Sequence, residues 1–379
     1  MAYIGKTPAS AALTSSDIAD NIITSAKIVD GAIVTADIAD ANVTAAKLAS
    51  GTVQNQSAFK NIMINGDMSQ AQRSTSVTGI TGSGYNTVDR MRSSIGSAGT
   101  WTQSQSTTVP SGQGFAKSLK MDCTTANGSL SSTAALIIQT KFEGQNLQYL
   151  KKGYTDAEST TCSFWVRSAK TGTYIVNLFD TDNTRIISKS YSISQANTWE
   201  KKSVTFPGDT SGAFNNDNGD SLKLNFWLGA GSAYTSGTLA TSWQSNSDAN
   251  TAVGQVNLAD STSNDWYVTG IQLEAGTVAS DFEYLPVDIN KRRCQRYFFK
   301  NTGSGGQIGY APSIGDNYRH ELYFFPVEMR SSPTITPVFN AGSSAGSQYP
   351  GTTTVDVFVN MGNTTTIVNL TSIKGDAEL

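Results

Sequence analysis

Apolar side chains alternate with polar ones over short runs of this chain, each run closed by Gly, Asn, Asp or Pro, and few architectures satisfy that pattern. Leu222, Leu224, Phe226 and Leu228 occupy every second position of one run. Cys162, Phe164 and Val166 do so in another, with Ser163, Trp165 and Arg167 between them. Tyr174, Val176 and Leu178 alternate with Ile175, Asn177 and Phe179; Val204 and Phe206 form a further pair; Trp266 to Glu274 closes the series. A period of two sends successive side chains to opposite faces of a strand. Many short strands of this kind require sheets packed face to face. The fold class is therefore mainly β, with an antiparallel jelly-roll β-sandwich over residues 54–285. Residues 59–67 read as its first strand, ending in an Asn65-Gly66-Asp67 turn.

A different periodicity precedes the sandwich. Residues 14–53 divide into four decapeptides whose fifth positions are Ile18, Ile28, Ile38 and Leu48 and whose tenth positions are Ile23, Ile33, Val43 and Val53. The fourth position alternates in sign through Asp17, Lys27, Asp37 and Lys47. A spacing of five fits neither helix nor strand, so each decapeptide reads as a short element, a turn and a second short element. One such strip cannot bury its branched side chains alone; repeats gain a core by stacking and by association between chains. The expectation is a fibrous stalk with those eight aliphatics at a trimeric axis. Exposed Asp–Lys pairs contribute only about 0–1 kcal/mol each, so they would set register more than stability. Residues 1–13 read as an attachment tip and residues 286–379 as a small C-terminal β domain.

Composition narrows the function classes. Charged residues make up 15% of the 379 positions and the formal net charge is −3. Basic clusters such as Lys291-Arg292-Arg293 are short, which leaves no electrostatic footprint for nucleic acid. Cys123, Cys162 and Cys294 are odd in number and widely spaced, which argues for buried thiols made in a reducing host cytoplasm. No secretory leader and no membrane-spanning run is expected.

Several motifs carry a family resemblance. Asn65-Gly66-Asp67-Met68, Ala71-Gln72-Arg73, Thr87-Val88-Asp89-Arg90, Ser163-Phe164-Trp165-Val166-Arg167-Ser168, Gly270-Ile271-Gln272-Leu273-Glu274 and Cys294-Gln295-Arg296-Tyr297 resemble a domain of bacteriophage tail-fibre and virion-attachment proteins. The decapeptides and the Ala2-Tyr3-Ile4-Gly5-Lys6 opening are similar to structural proteins of marine phages. The resemblance implies a fibre component of the virion whose sandwich is like carbohydrate-binding modules. It transfers no defined sugar site.

In the C-terminal segment, 286–300 reads as a short helix or bridge. Strands are expected at 320–325, 334–339, 354–359 and 366–370, with Ala341 to Gly351 as a loop.

Catalytic constellations are missing from the pattern. The single histidine, His320, restricts any Ser-His-Asp arrangement to one residue, and no P-loop, dinucleotide or zinc spacing occurs. Asp180, Asp182, Asp209, Asp217 and Asp220 lie among turn formers and read as turn residues before catalytic acids. Residues 215–220 are similar to a calcium loop, but Phe214 stands at the first ligand position, so no cofactor is expected beyond a structural calcium ion. Trp227, Tyr234 and Trp243 are the aromatic candidates for stacking on sugars, the last two because loops on rigid sandwiches carry binding.

These expectations describe a non-enzymatic virion fibre that attaches to host-surface glycan or protein, bound to other virion proteins through its N-terminus and to itself as a trimer. A structural adaptor that touches only virion proteins is the alternative, and a polysaccharide depolymerase a distant third. The stalk prediction is direct: the full chain should have trimer mass at micromolar concentration, and a chain beginning at Gln54 should not. Replacing Ile28 and Ile38 together by Asp should dissociate it, since an unpaired buried charge costs several kcal/mol; a monomeric full chain by light scattering would refute the stalk.

Overall fold

The structure, a computed structural model, describes residues 24, 28, 29, 32, 59–302, 318–339, 344–360 and 370–379. The chain divides into two compact units, 1–56 and 57–379. Of the expected stalk core, Ile18, Ile23, Ile33, Ile38, Val43, Leu48 and Val53 lie outside the described residues, as does the expected tip at 1–13; Ile28 is 41% exposed in the single chain.

The larger unit begins with thirteen strands: β1 (Ser76–Ile80), β2 (Gly84–Tyr85), β3 (Arg92–Gly96), β4 (Thr100–Ser106), β5 (Ser118–Thr125), β6 (Ala135–Glu143), β7 (Thr160–Ser168), β8 (Gly172–Asp180), β9 (Arg185–Ile193), β10 (Glu200–Phe206), β11 (Asp220–Ala230), β12 (Gln244–Ser245) and β13 (Asp265–Ala275). A short helix α1 (Ser232–Thr235) follows β11. Two sheets form, ordered β1-β4-β5-β13-β7-β10 and β12-β9-β8-β11-β6-β3-β2, and their pairings are antiparallel. The alternating faces read from sequence meet between them. Phe164, Val166, Tyr174, Val176, Leu178, Leu222, Leu224, Phe226, Trp266 and Val268 share one buried cluster. Phe164 packs edge-on against both Tyr191 and Phe226 at 5.0 Å between ring centres. Full burial of each such side chain contributes about 1.5–3 kcal/mol.

Residues 59–67 are not a strand. Asn61 and Asn65 take over the bonds a ladder would need: Asn61 Oδ1 accepts from Met63 N and Leu273 N, and Asn61 Nδ2 donates to Ile271 O. Asn65 sits at φ 62° and Met68 at φ 60°, so the segment winds tightly while Met63 and Met68 plug the core. Gly66 is required here because a Cβ would lie 2.0 Å from Ile271 O.

Helix α2 (Val287–Gln295) leads to β14 (Phe298–Thr302), β15 (Tyr318–Phe324), β16 (Thr334–Phe339), β17 (Ser344–Gln348), β18 (Thr354–Asn360) and β19 (Leu370–Asp376), which form the sheets β14-β19-β16 and β15-β18-β17. Phe299, Phe325, Met329, Val355, Val357, Leu370 and Ile373 are their core. The expected loop at 341–351 contains β17. Its glycine reads as a turn signal, but a Cβ at Gly346 would fall 2.6 Å from the Phe358 ring, so the bare backbone admits that ring. The last strand begins at Leu370, and 366–369 lie outside the described residues.

The sandwich and the C-terminal sheets are joined by buried ions. Arg90, 1% exposed, pairs with Glu378, donates from Nη2 to Lys141 O at 2.5 Å, and lies 3.5 Å from the Tyr297 ring centre. Arg73 pairs with Asp376 and Glu378 at 3.1 and 3.3 Å and covers the Phe298 ring at 3.6 Å. Arg296 grips Glu143 through two bonds of 2.9 and 2.8 Å. Asn290 of α2 accepts from Asn65 N and donates to Asp67 and Ser69. Burial pushes the Asp89 carboxyl up to about 6 although Gln72 donates to it twice.

Removing one member of a buried pair leaves the other uncompensated, at a cost of about 3–5 kcal/mol. Glu378→Ala should therefore lower the unfolding free energy from urea titration by that much, and Arg90→Met with Glu378→Leu should recover most of the loss. Equal midpoints for wild type and Glu378→Ala would show that the joint is not closed in solution.

Candidate functional site

The outer face of the seven-stranded sheet carries a row of polar side chains in register: Ser188 (β9), Asn177 (β8), Asn225 (β11), Gln139 (β6) and Arg92 (β3). They lie on the face opposite the core because the neighbouring positions of each strand point into it, yet Ser188, Asn177, Asn225 and Gln139 are buried and only Arg92 is half-buried. Gln139 Nε2 donates to Asn225 Oδ1 at 2.7 Å, and Asn225 Nδ2 donates to Asn177 Oδ1 at 2.8 Å. The amides thus orient one another, and Asn177 Nδ2 ends the chain buried and without a partner among the described residues. At the other end, the half-buried Arg92 guanidinium makes no hydrogen bond or ion pair among the described residues.

A second row runs alongside, with Phe179, Lys223 and Lys141 in register. Lys223 Nζ lies 5.3 Å from the Phe179 ring centre, and Asp220 is shared by Lys141 at 3.2 Å and Lys223 at 3.3 Å. Burial outweighs the Asp220 charge and holds the Lys141 ammonium below its usual range. The two ends of this face are covered. At one end Tyr234 of α1, Leu239 and Ala252 roof Ile137, Ile175 and Trp227. At the other, Arg296 lies on Glu143. Between them the amide floor, Phe179 and the three cations form a strip of fixed side chains on rigid strands. The opposite sheet also shows an outward aromatic: half-buried Trp165, flanked in register by Thr269 and Lys201.

The three aromatic candidates pack instead of presenting open faces. Trp227 is 4% exposed and lies under Tyr234 at 5.2 Å. Tyr234 is half-buried in that roof. Trp243 packs on the sandwich core, donates from Nε1 to Pro207 O at 2.8 Å, and lies 5.5 Å from Lys152 Nζ. Trp227 stands in β11 and Tyr234 in α1, and the segment carrying Trp243 folds back onto the sandwich.

Lys152 explains two of the aspartates. Its ammonium, on a 6% exposed residue, meets Asp180 at 2.5 Å, Asp209 at 3.2 Å, Ser211 O at 2.9 Å and Gly212 O at 2.7 Å. Arg185 also holds Asp209, whose carboxyl is kept below its usual range by these bonds against the effect of burial. Asp182 binds Asn215, Asp217 accepts from Gly219 N, and Asp220 serves Lys141 and Lys223. In the 215–220 segment, Asn218 donates to Arg330 O and Asp217 O accepts from Gln145 N, so these residues tie the segment to its neighbours. Among the described residues, no group of three or more His, Cys, Asp and Glu is placed to hold a metal. His320 Nδ1 lies 3.0 Å from Asp356 Oδ2 on an open surface, and the three cysteines are buried and unpaired. No helix among the described residues is long and apolar enough to cross a membrane.

Alternation identified the face that bears Asn177 and Phe179, but Arg92 and Gln139 stand in runs without clean alternation and were not singled out. Their signal is positional: each is the lone long polar side chain that its strand sends outward at the level of Asn225.

No family model matches the chain, and no curated protein matches it. Among solved structures, the enzymatically active domain of bacteriophage CBA120 tailspike protein 4 aligns at 13% identity over 57% of this chain and 21% of its own length, with a TM-score of 0.31. A family 61 carbohydrate-binding module in complex with β-1,4-galactotriose aligns at 9% identity over 57% of this chain and 98% of its own, with a TM-score of 0.28. The N-terminal cellulose-binding domain of Cellulomonas fimi β-1,4-glucanase C gives 10%, 43%, 80% and 0.25. This chain spans about one-fifth of that tailspike domain's length.

If Trp243 is a packing residue, Trp243→Ala should lower stability by about 2 kcal/mol, less than a fully buried tryptophan because the ring is partly open. Thermal and urea midpoints check this; an unchanged midpoint would return Trp243 to the list of exposed binding residues.

Proposed function

We propose that this chain is a phage attachment protein that binds host-surface glycan, without catalysis, through the strip between the amide row and Phe179. The observation that carries the reading is the half-buried Arg92, which has no hydrogen bond or ion pair among the described residues and stands in register at the end of the buried, self-oriented row Asn177–Asn225–Gln139. Saccharide recognition needs directional donors and acceptors held still and an apolar surface for the sugar's C–H face. The amides, buried and bonded to one another, hold the strands beneath the strip in place, while Arg92 and Lys223 supply donors and Phe179 supplies the apolar surface. Sequence motifs similar to tail-fibre proteins support the virion setting, and the decapeptide stalk would present three copies together. A strip with few free donors binds weakly, so multivalency carries the avidity: once one site is engaged, the next binds at high effective concentration.

The test uses the purified full chain against host cells and a panel of their surface polysaccharides. Phe179→Ala and Arg92→Ala should each weaken binding by about 1–3 kcal/mol per site with unchanged melting temperature. No new reducing ends should form on prolonged incubation. If the chain ignores cells and polysaccharides but captures purified tail or capsid proteins, it is an adaptor instead; turnover abolished by one carboxylate substitution would make it a depolymerase.

A further inference from the structure

Beyond Gln139 the edge of β6 is no longer covered by β3, whose last paired residue there is Arg92. A cavity of about 510 Å3 opens at this uncovered edge, walled by the 59–64 segment, the 145–149 turn and α2. Four cations line it. Three have carboxylate partners: Arg90 with Glu378, Lys141 with Asp220, and Arg296 with Glu143. The fourth, Arg293, has no ion pair among the described residues. Its Nη2 donates to Asn61 O at 3.3 Å, and its Nη1 is buried with no partner among the described residues. Burial accordingly holds the Arg293 guanidinium below its usual range. At the rim stand two open aromatic rings, Phe59 at 57% and Tyr149 at 50% exposure.

We infer that this cavity receives the carboxylate of an acidic sugar residue, with Arg293 as its ion partner and Tyr149 or Phe59 against the sugar ring. A guanidinium with no ion pair among the described residues, acted on by Glu283 only at longer range, leaves room for a single negative charge, and a planar carboxylate matches its fork. A bare anion would leave both aromatic rings idle, whereas a pyranose would cover one. Lys141 belongs both to the cavity and to the Phe179–Lys223 row, so one glycan chain can run from the strip into the cavity. The inference rests on the glycan reading given above and specifies which sugars the surface prefers.

The test titrates the full chain with galacturonate, galactose and inorganic phosphate, read by saturation-transfer NMR, and with acidic and neutral polysaccharides. Galacturonate should bind roughly tenfold or more tightly than galactose, and Arg293→Gln should erase that preference, because truncating one side of a desolvated charge pair has effects of at least this size. Arg293→Lys keeps the charge without the fork and should fall between. The melting temperature of Arg293→Gln should equal or exceed that of wild type, since an unpaired buried cation is removed; a merely structural arginine would lower it. Equal binding of galacturonate and galactose, an acidic preference that survives Arg293→Gln, or displacement of galacturonate by phosphate at equal or lower concentration would each overturn the proposal. Binding of neutral polysaccharide with no acidic preference would sink the cavity alone. Binding of no polysaccharide would sink the glycan reading and the cavity with it.

Discussion

The Arg90 guanidinium, laid on Tyr297 and closed by Glu378, fixes the relation between two bodies that have separate cores. Everything near it depends on that charge being satisfied. Its Nη2 takes the Lys141 carbonyl that β3 leaves without a strand partner, so the same ion finishes the sheet and starts the joint. Arg73 and Arg296 repeat the device on either side, each pairing with a carboxylate across the junction. Buried pairs of this kind add little net stability over apolar packing, because desolvation offsets most of the attraction. What they supply is a single permitted arrangement, since any other leaves a charge stranded.

The hydrophobic framework was legible from sequence because it rests on a period of two. Spacing put Phe164 with Val166, Tyr174 with Val176 and Leu224 with Phe226 on shared faces, and those faces meet, with Trp266, in one cluster. Residues 59–67 were misread for a specific reason: their apolar spacing mimics a strand, and only the bonds of Asn61 and Asn65 show that side-chain amides have replaced the ladder. The motif residues Asn65, Asp67, Gln72 and Arg90 were recognised as a family resemblance, yet their function was not legible. Their partners, Asn290, Phe298 and Glu378, lie more than 200 positions away, and nothing in local spacing reveals a contact at that separation.

The candidate face shows the same division. Outward positions of β8 were readable, so Asn177 and Phe179 could be placed on one side of a strand. That Gln139 and Arg92 stand level with them follows from register between strands that are distant in sequence. Aromatic residues in loops drew attention because exposed rings are common in binding sites. Here Trp243 packs on the sandwich core and Tyr234, in α1, roofs Trp227, while Arg92 keeps a guanidinium with no partner among the described residues.

Lys152 has one more consequence. Two carboxylates and two backbone carbonyls converge on its ammonium, and together they knit the 211–212 turn to the ends of β8 and β9. A tethered cation cannot diffuse away, be chelated or be diluted. The loops at this end of the sandwich consequently keep their shape across media of very different ionic content, with the counter-charge encoded in the chain instead of borrowed from solution.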